Sequence, residues 1–431
     1  MNDNEKMIEL LNSSYSQFHV VENMSQMLKS EGYLELDEKT DFSLSWGKNY
    51  FVTRNGSSLI AFSLPKKNSE AGFRITASHT DSPTFKVKPN PLKKRNNLLM
   101  LNTEPYGGGI YSTWMDKPLS IAGRVMVMDN GEVHNHLFNV DRDLLIIPSV
   151  CIHMNRNANN QASFNPSCDT IPLFSSDCNL DFSSFLLEEL GYTSPVMSQV
   201  LSYDLFLYNR QKAARIGAYG EFLGSSREDD LTSAYSALFG FMASSHNKDI
   251  SLFASFDNEE VGSLTRQGAN STFLKDIMKR IAASLKLEFE KAVASSILIS
   301  IDNAHANHPN HPEYSDSTTE VVLDGGVVIK YNANQSYTSD GFSSALVKSL
   351  LIKNGQPYQE YTNRSDLRGG STLGNISNSE VSLISCDIGI AQLAMHSSYE
   401  VLALADIQRM TDFVREFYST DITLSGNTFS I

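Results

Sequence analysis

Cysteine is scarce: Cys151, Cys168, Cys178 and Cys386 are the only four in 431 residues, and no two form a CxxC pair. A disulfide framework is therefore excluded, and the expectation is reduced thiols in a cytoplasmic protein. Long apolar runs are also missing. None approaches the roughly 20 residues that a membrane-crossing helix needs. The start, Met1-Asn2-Asp3-Asn4-Glu5-Lys6, lacks the basic-then-apolar order of a secretory signal. We expect a soluble protein that is not exported and has no membrane partner. Positive charge is short too, with 35 Lys+Arg against 49 Asp+Glu and a net charge of -14. A field of that sign repels nucleic acid and anionic membrane surfaces. There is no GxSxG elbow, which argues against a serine hydrolase. The run Gly107-Gly108-Gly109 lacks the Lys-Ser/Thr of a phosphate-binding loop, so it reads as backbone packing.

What is present is the balance of a folded enzyme, 41% apolar and 19% charged residues, far from the composition of disordered chains. The length favours two domains over one. From Glu5 to Ser30 apolar residues recur at loosely helical spacing up to Gly32, predicting one or two opening helices. Tyr50 to Thr53 and Ser58 to Ser63 are β-rich, with Asn55-Gly56 between them as a hairpin signal. Phe73 to Ala77 predicts a strand that runs into Ser78-His79-Thr80-Asp81-Ser82-Pro83. From about Thr84 to Phe206 short strands alternate with Gly, Pro, Asn and Asp. One hairpin stands out there, Ile121 to Met128 and Glu132 to Val140 around Asn130-Gly131. Asn155 to Asp169 reads as a loop. After Ser226 helical patterns alternate with the β runs Ile250 to Phe256, Ser296 to Ile301 and Val381 to Cys386. Such alternation is the signature of a largely parallel sheet covered by helices. The economical reading is an α/β domain made of residues 1–83 and 207–431, interrupted by a β-rich insertion of residues 84–206.

Five acid- or histidine-bearing clusters sit at predicted strand ends or helix starts, where ligands gather in open α/β sheets. His79-Thr80-Asp81 follows a strand, and residues two apart on an extended chain face the same way. A metal-bound imidazole often donates its other N–H to a carboxylate, although a lone HxD is also a common strand-end hydrogen bond. Glu228-Asp229-Asp230 opens a helical pattern, for which the helix dipole alone is a sufficient explanation. Asp257-Asn258-Glu259-Glu260 is different, because three acids at the end of a buried strand are costly unless cations or metal pair them. Asp302-Asn303-Ala304-His305 follows the next strand, and Ala394-Met395-His396 is expected to open the C-terminal helix. Two histidines with several carboxylates suit zinc, with cobalt or manganese as substitutes, better than the all-oxygen shell of calcium. A spare glutamate beside a ligand glutamate is what a metal-assisted hydrolase requires, since it can take the proton from the attacking water.

In this order, and over nearly the full length, these clusters resemble the aspartyl aminopeptidase family. The resemblance rests on Ser78 to Pro83, Tyr106 to Trp114, Asp257 to Ser263, Asp302 to Asn310 and Ala394 to Ser397. It implies two Zn2+ per subunit. His79 and Asp302 would hold one, Glu260 and His396 the other, and Asp229 would bridge them. It also implies Glu259 as general base, Asp81 orienting His79, and His305 as a hydrogen-bonding residue of the site. His153 would reach a neighbouring subunit's site, and Lys330 would lie near the substrate pocket. The implied fold is a zinc-peptidase-like α/β/α sandwich with an inserted β-rich dimerisation domain, and the implied assembly is a homo-oligomer of dimers forming a dodecamer. Where the family has asparagine after the bridging aspartate, this chain has Asp230, and Glu228 precedes it. The substrates implied are peptides with N-terminal Asp or Glu. Lys330 or Arg368 would supply the cation that an acidic side chain needs in a pocket of carboxylates. Two alternatives stand beside this: neutral-residue specificity on the same scaffold, and an inactive metal-binding assembly protein.

Overall fold

In the strand Ile297–Ile301 every residue is buried, and its side chains divide between two cores. Ile297, Ile299 and Ile301 face one, and Leu298 faces the other. That is the period-two geometry of a strand covered on both faces. The computed structural model describes residues 3–192, 198–246, 248–367, 369–370 and 372–431. In it this strand lies within a nine-stranded sheet. The order is Leu34–Leu36, Asn49–Arg54, Ser58–Ser63, Ile250–Phe256, Phe73–His79, Ile297–Ile301, Ile384–Gly389, Val327–Tyr331 and Tyr358–Thr362. The central strands are parallel, while three of the pairings are antiparallel, so the sheet is mixed.

Helices Glu228–Met242 and Leu404–Ser419 pack on one face of the sheet, and Phe273–Leu285 covers the other. In the last of these Phe273, Leu274, Ile277, Met278 and Ile281 are buried at helical spacing. The result is the expected α/β/α sandwich. The opening segment forms two helices, Asp3–Ser13 and Gln17–Ser30, and Gly32 follows with φ 81°.

A second, six-stranded sheet is antiparallel throughout, and all its strands lie within residues 84–209. Its own core includes Phe85, Trp114, Ile121 and Leu205, closed by the helix Phe182–Glu189. Both sequence-predicted hairpins form. Asn55 and Gly56 have φ of 60° and 66°, and Asn130 and Gly131 of 49° and 85°. Two-residue turns of this hand require that sign at both positions.

A five-stranded sheet was not anticipated. Its order is Ala214–Ile216, Phe222–Ser225, Glu400–Ala403, Ala391–Leu393 and Ala304–His305. It corrects one expectation: His396 does not open a helix. It lies in a turn between the strands Ala391–Leu393 and Glu400–Ala403, and the helix begins at Leu404. The short apolar runs on either side of His396 carry no periodicity that separates a strand pair from a helix start. The β run expected from Val381 likewise begins later, at Ile384, after the helix Leu373–Glu380. Among the described residues no helix is long and apolar enough to cross a membrane.

Candidate active site

The parallel register brings three strand ends to one level. Phe256 stands opposite His79, and Ser300 opposite Ala77. The residues that follow therefore emerge side by side at the carboxyl edge: Asp302 after one strand, Glu259 and Glu260 after another, His79 between them. The five-stranded sheet delivers the remainder, Asp229 just beyond Phe222–Ser225 and His396 just beyond Ala391–Leu393.

Both imidazoles are held in the same way. Nδ1 of His79 donates to the main-chain carbonyl of Asp81 at 3.0 Å, and Nδ1 of His396 donates to the carbonyl of Gly108 at 3.1 Å. Each ring thus turns its Nε2 inward. Nε2 of His79 is 3.5 Å from Asp229 Oδ1 and 4.0 Å from Asp302 Oδ1. Nε2 of His396 is 3.4 Å from Asp229 Oδ2 and 3.5 Å from Glu260 Oε2. The two oxygens of Asp229 therefore face different histidines.

These separations are long for hydrogen bonds. Apart from the 4.0 Å to Asp302, they are close to those of donors sharing an ion, which sit roughly 3.3 Å apart at tetrahedral geometry with ~2.0–2.1 Å bonds. The oxygens Asp229 Oδ1, Asp230 Oδ1 and Glu260 Oε1 are buried with no hydrogen-bond partner. Buried carboxylate oxygens in that condition are costly unless a cation meets them. The donor set of nitrogen and carboxylate oxygen suits zinc, so the residues fit the metal. Donor atoms converge in three overlapping groups: His79 with Asp229, Asp230 and Asp302, His79 with Glu259 and Glu260, and Asp229 with Glu260 and His396.

The electrostatics follow from crowding. Burial disfavours a charged His79, yet Asp229, Asp81, Asp230 and Glu259 outweigh it and raise its pKa well above the ordinary imidazole value. His396 is pushed up to about 10, with burial opposing and Asp229 and Glu260 raising it. Burial also works against ionising Asp229, but the two imidazoles hold its carboxyl below the ordinary range. Glu259 is pushed up to about 8, first by burial and then by Asp302, Asp81 and Asp229, with His79 opposing.

Asp81 reaches His79 mainly through its carbonyl, because its carboxylate is engaged elsewhere. Oδ1 accepts the main-chain N–H of Glu259 at 3.1 Å, and Oδ2 accepts that of Glu260 at 3.2 Å. Oδ2 also accepts the hydroxyl of Tyr106 at 2.8 Å, and that hydroxyl accepts from Asn258 Nδ2 at 2.8 Å. Tyr106 was missed in the sequence, although it begins the stretch Tyr106 to Trp114. The glycine run does more than pack. Gly108 anchors His396, and a Cβ on Gly107, whose φ is 72°, would come within 3.1 Å of Glu260 Cβ.

Beside these residues a pocket is lined by His305, Lys330, Tyr337, Tyr361 and Thr372. Lys330 is 2% exposed, donates to the carbonyl of Asn303 at 3.1 Å and lies 3.5 Å from Asp302 Oδ2. His305 meets Tyr361 edge-on at 6.1 Å. His153 is exposed on its loop and does not line this pocket. Arg368 lies outside the described residues.

The chain is similar to known metalloproteases. The family described as aminopeptidase I zinc metalloprotease (M18) matches residues 10–418. A probable M18 family aminopeptidase 2 of Clostridium novyi (strain NT) is 40% identical over 423 residues, covering 96% of this chain and 98% of that protein. One from Pseudomonas paraeruginosa (strain DSM 24068 / PA7) is 36% identical over 425 residues, covering 97% and 98%. Among solved structures, a chain of the cryo-EM Ape4 and Nbr1 complex superposes with a TM-score of 0.91 at 33% identity, covering 96% of this chain and 85% of that one. The S. cerevesiae mApe1 dodecamer superposes at 0.84 with 25% identity, covering 96% of each. With the family match spanning almost the whole chain and relatives at this identity over its full fold, the chain belongs to the M18 family of zinc metalloproteases and is an aminopeptidase.

Proposed function

We propose that the enzyme removes single residues, Asp or Glu by preference, from peptide N-termini with two zinc ions per subunit. His79 and Asp302 hold one ion, Glu260 and His396 the other, and Asp229 is shared. The observation that carries this reading is the placement of one Asp229 oxygen before each inward-facing Nε2. Bound zinc supplies Lewis-acid polarisation of the scissile carbonyl and makes water easier to deprotonate. Glu259 takes the proton from the attacking water and returns it to the leaving amine. Asp81 fixes that base by holding the N–H groups of Glu259 and Glu260. His305 hydrogen-bonds substrate from the pocket wall.

Acidic preference rests on Lys330, a buried cation on the pocket wall. Its pairing with Asp302 favours the second reading, in which the charge is already satisfied and neutral residues enter against Tyr337 and Tyr361. The test is zinc analysis of the purified enzyme with kcat/KM for Asp-, Glu-, Leu- and Lys-derived chromogenic substrates, in wild type and Lys330→Met. We expect two zinc per subunit, a preference for acidic substrates, and a loss of about 10–150-fold on these alone in the variant, the worth of a charged hydrogen bond of ~1.5–3 kcal/mol. One zinc at saturation would remove the paired-ion mechanism. A leucine preference in wild type, or an equal loss on every substrate, would remove Lys330 as selector.

Residues 84–206 are proposed as the inserted unit through which copies assemble, dimers first and then a dodecamer, and the mApe1 relative is itself a dodecamer. The loop around His153 supports this, since Val150, Ile152 and Met154 on it are 60%, 48% and 84% exposed, and exposed apolar side chains gathered together mark interaction surfaces. His153 then reaches a neighbouring copy's site. Light scattering on the wild type, and on His153→Ala assayed with its zinc content measured, tests both. Four unpaired cysteines support a cytoplasmic location.

A further inference from the structure

We infer that Glu400 is a positioning residue that keeps the His396 side of the site in register with Asp229, an inference that rests on the paired-ion reading above. Glu400 is 1% exposed and is not among the residues whose donor atoms converge in the candidate metal groups. Its carboxylate instead grips the main chain of two residues that do. Oε1 accepts the N–H of His396 at 2.7 Å, and Oε2 accepts the N–H of Asp229 at 3.2 Å. Gln392 Nε2 approaches Oε1 at 3.5 Å.

The topology explains why one side chain can do this. Glu400 begins the strand Glu400–Ala403, which lies between Phe222–Ser225 and Ala391–Leu393. Ser225 pairs directly with Glu400, and the chain from Ser225 leads to Asp229. On the other side, the chain leaves Leu393 and reaches His396 within a few residues. Glu400 thus stands where the two excursions begin and closes both with one carboxylate.

The need for such a clamp is visible in the backbone. Ala394 and His396 have φ of 57° and 66°, and Asp229 departs from helical geometry with φ -81° and ψ 112°. Left-handed φ at a non-glycine residue persists only where its surroundings enforce it. The His396 turn has no long strand ladder to do so. A carboxylate accepting N–H groups makes the stronger class of hydrogen bond. Residues that orient metal ligands from behind typically change metal affinity or activity 10–100-fold when replaced.

The test uses Glu400→Gln, which keeps size but has one acceptor oxygen for two N–H groups, and Glu400→Asp, which is one methylene short. The metal-free full-length proteins are titrated with Co2+ and followed by visible absorption. His396→Ala identifies the band that belongs to the His396 side. We expect both variants to keep the circular dichroism of metal-free wild type and a single cooperative thermal transition. The equivalent on the His396 side should bind 10–100-fold more weakly with a shifted band, and the other equivalent should change less. Two equivalents bound as in wild type with unchanged bands would overturn the inference. So would a larger loss on the His79 side, and so would misfolding of both metal-free variants, which would make Glu400 a purely structural residue. If wild type itself saturates at one equivalent, the paired-ion reading fails first, and unaltered binding of that equivalent in the variants would refute Glu400 separately.

Discussion

The His79 and His396 sides of the site present the same donor chemistry and are built by different means. His79 is the last residue of the buried strand Phe73–His79, laddered to neighbours on both sides, and its side chain is 1% exposed. His396 stands in a turn at a left-handed φ of 66°, and its side chain is 31% exposed. His79 is positioned by a sheet, His396 by a few single hydrogen bonds with Gly108, Ile110 and Glu400. The two histidines therefore differ in burial where their donor atoms do not. The His79 side also carries a cation, Lys330, beside its unshared carboxylate. Among the described residues, no lysine or arginine pairs with Glu260.

The largest expected effect tests whether the seam between the halves performs the proton transfer. Glu259→Gln should lower kcat about 10²–10⁴-fold, the range of general-base catalysis, while zinc content in both halves stays as in wild type. Near-normal turnover would show that the base lies elsewhere, and zinc loss would show that Glu259 belongs to one half as a ligand.

A smaller effect separates the halves directly. Under a limiting chelator the ion proposed on the His396 side should leave first, at least about 10-fold faster than the one proposed on the His79 side, because exposure and a backbone held by few bonds both lower the barrier to local opening. Release of both ions in one phase would erase the distinction.

The smallest effect concerns pH in the metal-free protein. His396 has a folded pKa of about 10, above the ordinary ~6.5 of an unfolded chain. Its contribution to stability is thus fully present below about pH 6.5 and is lost as pH rises through about 10. The thermal midpoint of metal-free wild type should exceed that of metal-free His396→Ala at pH 6 and converge with it toward pH 10. A difference independent of pH would mean that His396 does not carry this charge.

Much of the site was legible because its chemistry is carried by side-chain identity at strand ends. Glu259 and Glu260 stand in a run of acids that a strand end would not tolerate unpaired, whereas His79, Asp229, Asp302 and His396 were marked by residue type and received their roles from the family resemblance, and the structure gathers all six. The hairpins at Asn55-Gly56 and Asn130-Gly131 were equally plain, since few residue pairs accept two left-handed positions in succession. Tyr106, Gly108 and Glu400 were not legible as parts of the site. Gly108 acts through a carbonyl that every residue has, and Glu400 through the N–H groups of other residues, so neither leaves a chemical mark in the sequence.

The sequence by itself determined the class of the protein: apolar runs of strand length alternating with helical patterns, an all-β stretch between them, and an ordered series of histidines and acids. These are local properties, written in periodicity and in side-chain chemistry. Only the tertiary structure decided that Asp229 turns one oxygen to each imidazole and that His396 rides on a clamped turn rather than a helix. Such relations depend on strand order and register between segments hundreds of residues apart, and hydrogen bonds to the main chain are specified by path, not by residue type.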